Sequence, residues 1–220
     1  MIEIKGIKKS YRKAPVLTGV SFSCQKGTCT GIVGKNGSGK STLIEILAGV
    51  IKADSGVFLI DGSLAWAKNV RSKTGYVPQS DPLMPELTAL DNMLLWNDRT
   101  DIERELSEDG LISMLGVSDF LKKRVSTLSG GMKKRLSIAV SLVSHPEVLL
   151  LDEPTASLDL SAKDGIYLFF KKYCDRGGTI ILVTHDAAEI ELCDRTFLLK
   201  DGQVSPFTYD GDIHALVERL

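Results

Sequence analysis

No stretch of this chain is apolar over anything near the ~18 residues a membrane helix needs. Its longest apolar runs are short, such as VLLL at 148–151 and IYLFF at 166–170. The opening segment, MIEIKGIKKSY, lacks the continuous apolar core of a secretion signal. The expectation is a cytosolic protein that meets a membrane only when another polypeptide takes it there. Charge of one sign is also missing. The 27 Lys and Arg against 28 Asp and Glu leave a net charge of −1, which gives no general pull toward nucleic acid or anionic lipid. Only four cysteines occur, Cys24, Cys29, Cys174 and Cys193, with no C-x-x-C among them and no histidine close by in sequence. They read as small apolar packing residues in a reducing compartment. Internal repeats and low-complexity segments are absent.

What is present is ordinary globular material. The 220 residues, 43% hydrophobic and 25% charged, suit one domain with room for a small subdomain. IEI (2–4), VSF (20–22), TCTGIVG (28–34), GVFLI (56–60) and TGYVPQ (74–79) read as strands, the last stopped by Pro78. Asp61-Gly62 signals a hairpin, and Leu43, Ile44, Leu47 and Ala48 give the inner face of a helix over 40–50. From about 80 to 145 the character changes, with helical runs at 88–96, 111–116 and 130–143 and few strands. Alternation then returns: VLLLD (148–152), a helix over 161–175, TIILVT (179–184), a helix over 186–193, TFLLK (196–200) and a closing helix over 212–220. Runs apolar on both faces, such as VLLLD, belong in parallel sheets covered by helices. The expected fold is α/β. Residues 1–79 and 146–220 form a core with a mostly parallel sheet and an N-terminal antiparallel β part, and about 80–145 form an inserted helical subdomain.

The stretch Gly34-Lys35-Asn36-Gly37-Ser38-Gly39-Lys40-Ser41-Thr42 matches G-x-x-x-x-G-K-[ST] between a strand and a helix, the context in which that pattern binds phosphate. Glycines let backbone N–H groups curl around an anion, and the helix start adds positive potential. Lys40 can reach β- and γ-phosphates, and the Ser41 hydroxyl can ligate Mg²⁺. Asp152 ends a buried strand, suited to hold the metal through water, while the adjacent Glu153 can polarise water. A second glycine element, Ser129-Gly130-Gly131-Met132, opens another helix and offers a further anion site.

Taken in order, these elements resemble the ATP-binding subunits of ABC transporters over nearly the whole chain, with a P-loop NTPase core. The resemblance implies roles residue by residue. Tyr11 stacks on adenine, Gln79 ligates Mg²⁺ and links the core to the helical insert, and His185 contacts the γ-phosphate. Ser157, Leu158 and Asp159 cross between subunits, with a helix cap as the other reading of Asp159. Ser129, Gly130, Gly131 and Met132 form the signature, which meets the ATP of a second, head-to-tail copy; a homodimer is the simpler expectation. Lys133, Lys134 and Arg135 read as a solvated helix face. The segment 80–97 packs the insert, grips a transmembrane permease subunit, or both. The chain would then sit on the cytoplasmic face of the membrane through that permease, with no nucleic-acid partner. The signature reads LSGGM where LSGGQ is usual, which resembles bacterial exporter ATPases. Only 16 residues follow TFLLKDGQV (196–204), too few for the regulatory domain of many sugar-importer ATPases. Export is the preferred direction; an importer ATPase, or a soluble ABC ATPase acting on a cytosolic assembly, are the alternatives.

Overall fold

The expected strands at 2–4 and 20–22 are parts of longer ones, the first at the start of its strand and the second near the end. β1 (Ile2–Tyr11) and β2 (Ala14–Cys24) pair antiparallel, and β4 (Ser55–Ile60) pairs on the other side of β1. These coordinates come from a computed structural model that describes residues 1–12, 14–66, 73–96, 99–107, 110–156 and 158–212, without the side chains of 99–101. Ser157 and almost all of the expected helix over 212–220 lie outside the described residues. Asp61 and Gly62 adopt φ of 50° and 76°, the pair of left-handed residues that a two-residue hairpin demands, and they carry β4 into the short β5 (Ser63–Leu64). The resulting antiparallel sheet has the order β2-β1-β4-β5.

The second sheet runs β10-β9-β3-β8-β7-β6. Its strands are β3 (Cys29–Val33), β6 (Thr74–Val77), β7 (Val148–Asp152), β8 (Thr179–Thr184), β9 (Arg195–Lys200) and β10 (Gln203–Phe207). All neighbours pair parallel except β10, which returns antiparallel along β9. β10 was not foreseen. Its signal was Asp201-Gly202, with φ of 52° and 74°, a second copy of the turn at 61–62. Pro206 suits it because β10 is an edge strand.

Six α-helices occur among the described residues: α1 (Lys40–Leu47), α2 (Ala89–Leu94), α3 (Arg99–Glu105), α4 (Gly130–Leu142), α5 (Leu160–Asp175) and α6 (Ala187–Glu191). The expected helix at 111–116 is only a 3₁₀ turn, Ser113–Leu115. Gly116 at φ 61° ends it by donating its N–H to the Ser113 carbonyl, which tightens the turn instead of extending it. None of the described helices is long and apolar enough to cross a membrane.

Successive strand residues face opposite sides, so β7 and β8 divide their side chains between two cores. Leu149, Leu151, Ile180 and Leu182 pack with Met93, Leu136, Ile138 and Phe169 of the helices. Val148, Leu150, Ile181 and Val183 pack with Leu43, Ile44 and Leu47 of α1 and with the antiparallel sheet. Burial on both faces is why these strands read as continuous apolar runs. Phe169 is fully buried against the rings of Phe170 and Tyr173. Phe169→Ala is therefore expected to cost about 3–5 kcal/mol, read as a lower urea midpoint, whereas the exposed neighbour Leu168→Ala stays within about 0.5 kcal/mol of the parent.

Candidate functional site

β3 is bonded in parallel register to β8 on one side and β9 on the other, which holds its end at mid-sheet. The loop 34–39 follows, closed by the Ser38 N–H donating to the Lys35 carbonyl at 3.1 Å. A side chain at Gly34 would put its Cβ 2.6 Å from the Leu199 carbonyl oxygen. Gly39 has φ 101°, and a Cβ there would lie 2.9 Å from Val16 Cγ1. No side chain caps α1, and no acidic residue sits in its first turn. Its first amides stay free, and the positive end of its dipole is uncompensated. Those are the conditions for holding phosphate.

Lys40 folds back along the loop, its ammonium donating to the Gly34 carbonyl at 2.7 Å and the Lys35 carbonyl at 3.1 Å. Burial pushes its pKa down, opposed by the carboxylates of Glu153 and Asp152. The Ser41 hydroxyl donates to Asp152 Oδ1 at 3.3 Å, and burial raises the Asp152 carboxyl above its usual range. Among the described residues no three His, Cys, Asp or Glu side chains form a metal cage. Ser41 and Asp152 in contact, with the Gln79 amide nearby in the cleft, are the hard-oxygen set that suits Mg²⁺ sharing its shell with phosphate and water.

Glu153 points away from Asp152 because of its backbone. Its N–H still bonds to Val183 of β8 at 2.9 Å, but its φ is +46°, left-handed for a residue with a Cβ. Such a conformation costs on the order of 1–3 kcal/mol and persists where neighbours hold it. Here they do. Glu153 Oε1 lies 3.0 Å from His185 Nδ1, and Oε2 accepts from the Gln79 side-chain amide at 2.9 Å. Tyr11, Asn36, Gly37, Gly39, Lys40, Ser41, Thr42, Gln79, Glu153 and His185 share one open cleft of about 470 Å³. Most of the expected nucleotide residues therefore meet at one place. Tyr11 stands at its lip, 46% exposed, with the Lys9 ammonium 5.5 Å from the ring centre.

The signature residues are not in that cleft. Ser129 caps α4, its hydroxyl oxygen accepting from the Met132 N–H at 3.3 Å, which leaves the hydroxyl hydrogen free to donate. Gly130 faces open space, and a Cβ at Gly131 would press on Ala162 of α5 at 2.9 Å. The Met132 side chain packs against the helical core, so the residue that replaces the usual Gln serves packing here. Leu158 packs on the same core, and Asp159 caps α5 by accepting from the Ala162 N–H at 2.8 Å.

One expectation needs correction. Lys134 and Arg135 are not a solvated face. Lys134 is buried and bonded to the 78–81 segment, and Arg135 donates to the Leu115 carbonyl at 3.3 Å with its guanidinium over the Phe120 ring. Spacing on one helix could not reveal partners 20 and 56 residues away. The cysteines do serve packing, and two of them meet. Cys29 and Cys193, 164 residues distant in sequence, bring their sulfurs to 3.7 Å. Contact with Cys193 and burial both push the Cys29 thiol well above its usual range, which keeps it a packing group.

Glu189 escaped sequence reasoning. It is 1% exposed, and its Oε1 accepts from the Thr155 N–H at 3.0 Å and the Thr155 hydroxyl at 2.5 Å. It thus ties the turn after Glu153 to the helix after His185. Its sole sequence sign was a carboxylate four residues beyond that histidine.

Fold and cleft together define a P-loop nucleotide-binding ATPase. Comparison with known proteins narrows the class. The family model for ABC transporter matches residues 17–156. The linearmycin resistance ATP-binding protein LnrL of Bacillus subtilis (strain 168) is 34% identical over 210 residues, spanning 93% of this chain and 68% of that protein. The Nod factor export ATP-binding protein I of Rhizobium sp. (strain N33) is 37% identical over 223 residues, 99% of this chain and 72% of its own. The dimeric ATP-binding cassette MJ0796, in a post-hydrolysis state bound to ADP and Pi, superposes with a TM-score of 0.83 at 29% identity, covering 96% of this chain and 100% of that one. The protein belongs to the ABC transporter family, as an ATP-binding subunit with ATPase activity.

Burial raises the Glu189 pKa, so the folded chain holds that proton more tightly than the unfolded one. Stability then falls as pH rises from about 4.3, the unfolded glutamate value, through the raised folded value. Glu189→Gln removes this loss. Thermal unfolding is expected to show the stability of the variant relative to the parent rising steadily from pH 4 to pH 8.

Proposed function

We propose that the chain hydrolyses Mg²⁺-ATP between two copies of itself and so powers export through a separate transmembrane permease. The observation that carries this is the division of anion-binding elements: the phosphate loop lies in the cleft with Glu153 and His185, while Ser129 and Gly130 stand exposed outside it. One nucleotide reaches both only when a second copy brings its signature over the cleft, as in a head-to-tail pair. Ser157, Leu158 and Asp159 would lie along that junction, Asp159 also serving as a cap. MJ0796 is itself described as a dimer, which supports the pairing.

In this reading the amides of 36–41 and Lys40 hold the phosphates. Tyr11 stacks on the base, a contact worth about 1 kcal/mol. Ser41, Asp152 and Gln79 hold Mg²⁺, which when bound neutralises phosphate charge. Glu153 accepts a proton from the attacking water while His185 keeps that carboxylate aimed and meets the γ-phosphate. Fixed position and charge supply most of the rate in such chemistry.

The permease would engage a groove of about 510 Å³ that includes Pro78, Pro82, Met84, Leu95 and Trp96. Met84, Leu95 and Trp96 are 53%, 55% and 70% exposed, so the 80–97 segment packs the insert with one part and presents apolar side chains with another. Export is supported by the relatives named for Nod factor export and linearmycin resistance. The chain would then sit at the cytoplasmic face of a membrane by way of its permease, with no nucleic-acid partner.

Glu153→Gln is expected to bind ATP, elute as a dimer only with Mg²⁺-ATP, and release phosphate at least about 100-fold more slowly than the parent. Native turnover would remove Glu153 as the base. Trp96→Asp is expected to abolish co-purification with the permease, and undiminished capture would place that contact elsewhere.

A further inference from the structure

We propose that Lys134 is a positioning residue that locks the Gln79 turn to the helix bearing the signature. Its side chain is 5% exposed, in the second turn of α4, five residues beyond Ser129. A buried ammonium is costly unless its hydrogens are satisfied, and it has three. Three oxygens lie around it: it donates to the Pro78 carbonyl at 3.2 Å and the Gln79 carbonyl at 3.1 Å, and Asp81 Oδ1 at 2.8 Å is an ion-pair partner without hydrogen-bond geometry. Two of the three are backbone atoms of the turn that presents Gln79. The ammonium therefore holds the path of the main chain as well as one neighbouring charge.

The Gln79 turn is gripped from two sides. Lys134 holds its backbone, and Glu153 holds its side chain through the 2.9 Å hydrogen bond. An unbroken series of contacts then runs from the signature helix through Lys134 and Gln79 to Glu153 and on to His185. The same face of α4 continues through Ser137 and Ser141, three and seven residues on, which line the groove with Pro78, Pro82 and Met84. A partner that presses on this groove moves the 78–84 segment, and Lys134 carries that displacement to Ser129 and Gly130. This last step rests on the permease reading above; the lock itself does not. Lys133, one position earlier and half-exposed, makes none of these contacts and provides the control.

Hydrogen exchange on the purified chain tests the lock without permease or second copy. Lys134→Met is expected to raise exchange in residues 77–84 about 10-fold while β3 and α1 exchange as in the parent. Lys134→Arg retains protection, and Lys133→Met changes nothing. In steady state Lys134→Met is expected to lower kcat about 10-fold with the KM for ATP within about 2-fold, because the phosphate loop and Tyr11 are untouched. Parental exchange at 77–84 in a folded Lys134→Met chain would overturn the proposal. So would a uniform rise across the chain shared by Lys134→Arg, which would mark a packing role only. If Lys134→Met does not fold, Asp81→Asn removes the ionic partner and keeps the lysine stem. An exchange increase of about 3-fold confined to 77–84 supports the lock, and parental exchange there refutes it. A chain that fails to dimerise or to bind a permease would sink the transport reading and leave these exchange outcomes intact.

Discussion

Parallel pairing in the central sheet is the constraint on which the site depends. Val33 stands opposite Thr184, Asp152 opposite Val183, and Val77 opposite Leu151. The next residues along those chains are Gly34, His185, Glu153 and Pro78, so four loops leave the same sheet edge together. A slip of one residue in any pair would turn its side chains to the opposite face and take its loop out of line. The apolar sides of β7 and β8, each packed on its own core, are what forbid the slip. Core packing and site geometry are in this sense one property.

The loops beyond that edge need more than register to hold their shapes, and buried polar side chains supply it. Glu153 occupies a left-handed backbone conformation held by its bonds to Val183, His185 and Gln79. Glu189 braces the turn after it through Thr155, and Lys134 braces the Gln79 turn from α4. Each group is costly to bury and each is matched to oxygens or N–H donors of a loop. The result is a cleft in which Glu153 is held by His185 and Gln79 beside it, while Glu189 and Lys134 brace the loops from outside.

Much of this was legible beforehand because it rests on local rules. The phosphate loop is a contiguous stretch whose glycines have steric reasons visible in the pattern itself, and the acid pair ends an apolar run that can only be a buried strand. Asp61-Gly62 announced its hairpin for the same reason. Asp201-Gly202 did so equally, and β10 went unread only because the segment beyond that turn, with Pro206 in it, resembles no central strand. The run Lys133-Lys134-Arg135 misled because charge on a helix is usually solvated, and nothing nearby in the chain names Asp81, Pro78 or Leu115 as partners.

The sequence by itself determined the phosphate loop and the acid pair, since each follows from residues within a dozen positions of one another, and the class of fold, which follows from the alternation of strands and helices along the chain. Tertiary structure alone decided which way Glu153 faces, what Met132, Glu189 and Lys134 touch, and that Cys29 meets Cys193. Those outcomes hang on pairs brought together from 30 to 164 positions apart, and such pairs exist only after the sheet has set its register and the two cores have closed around it.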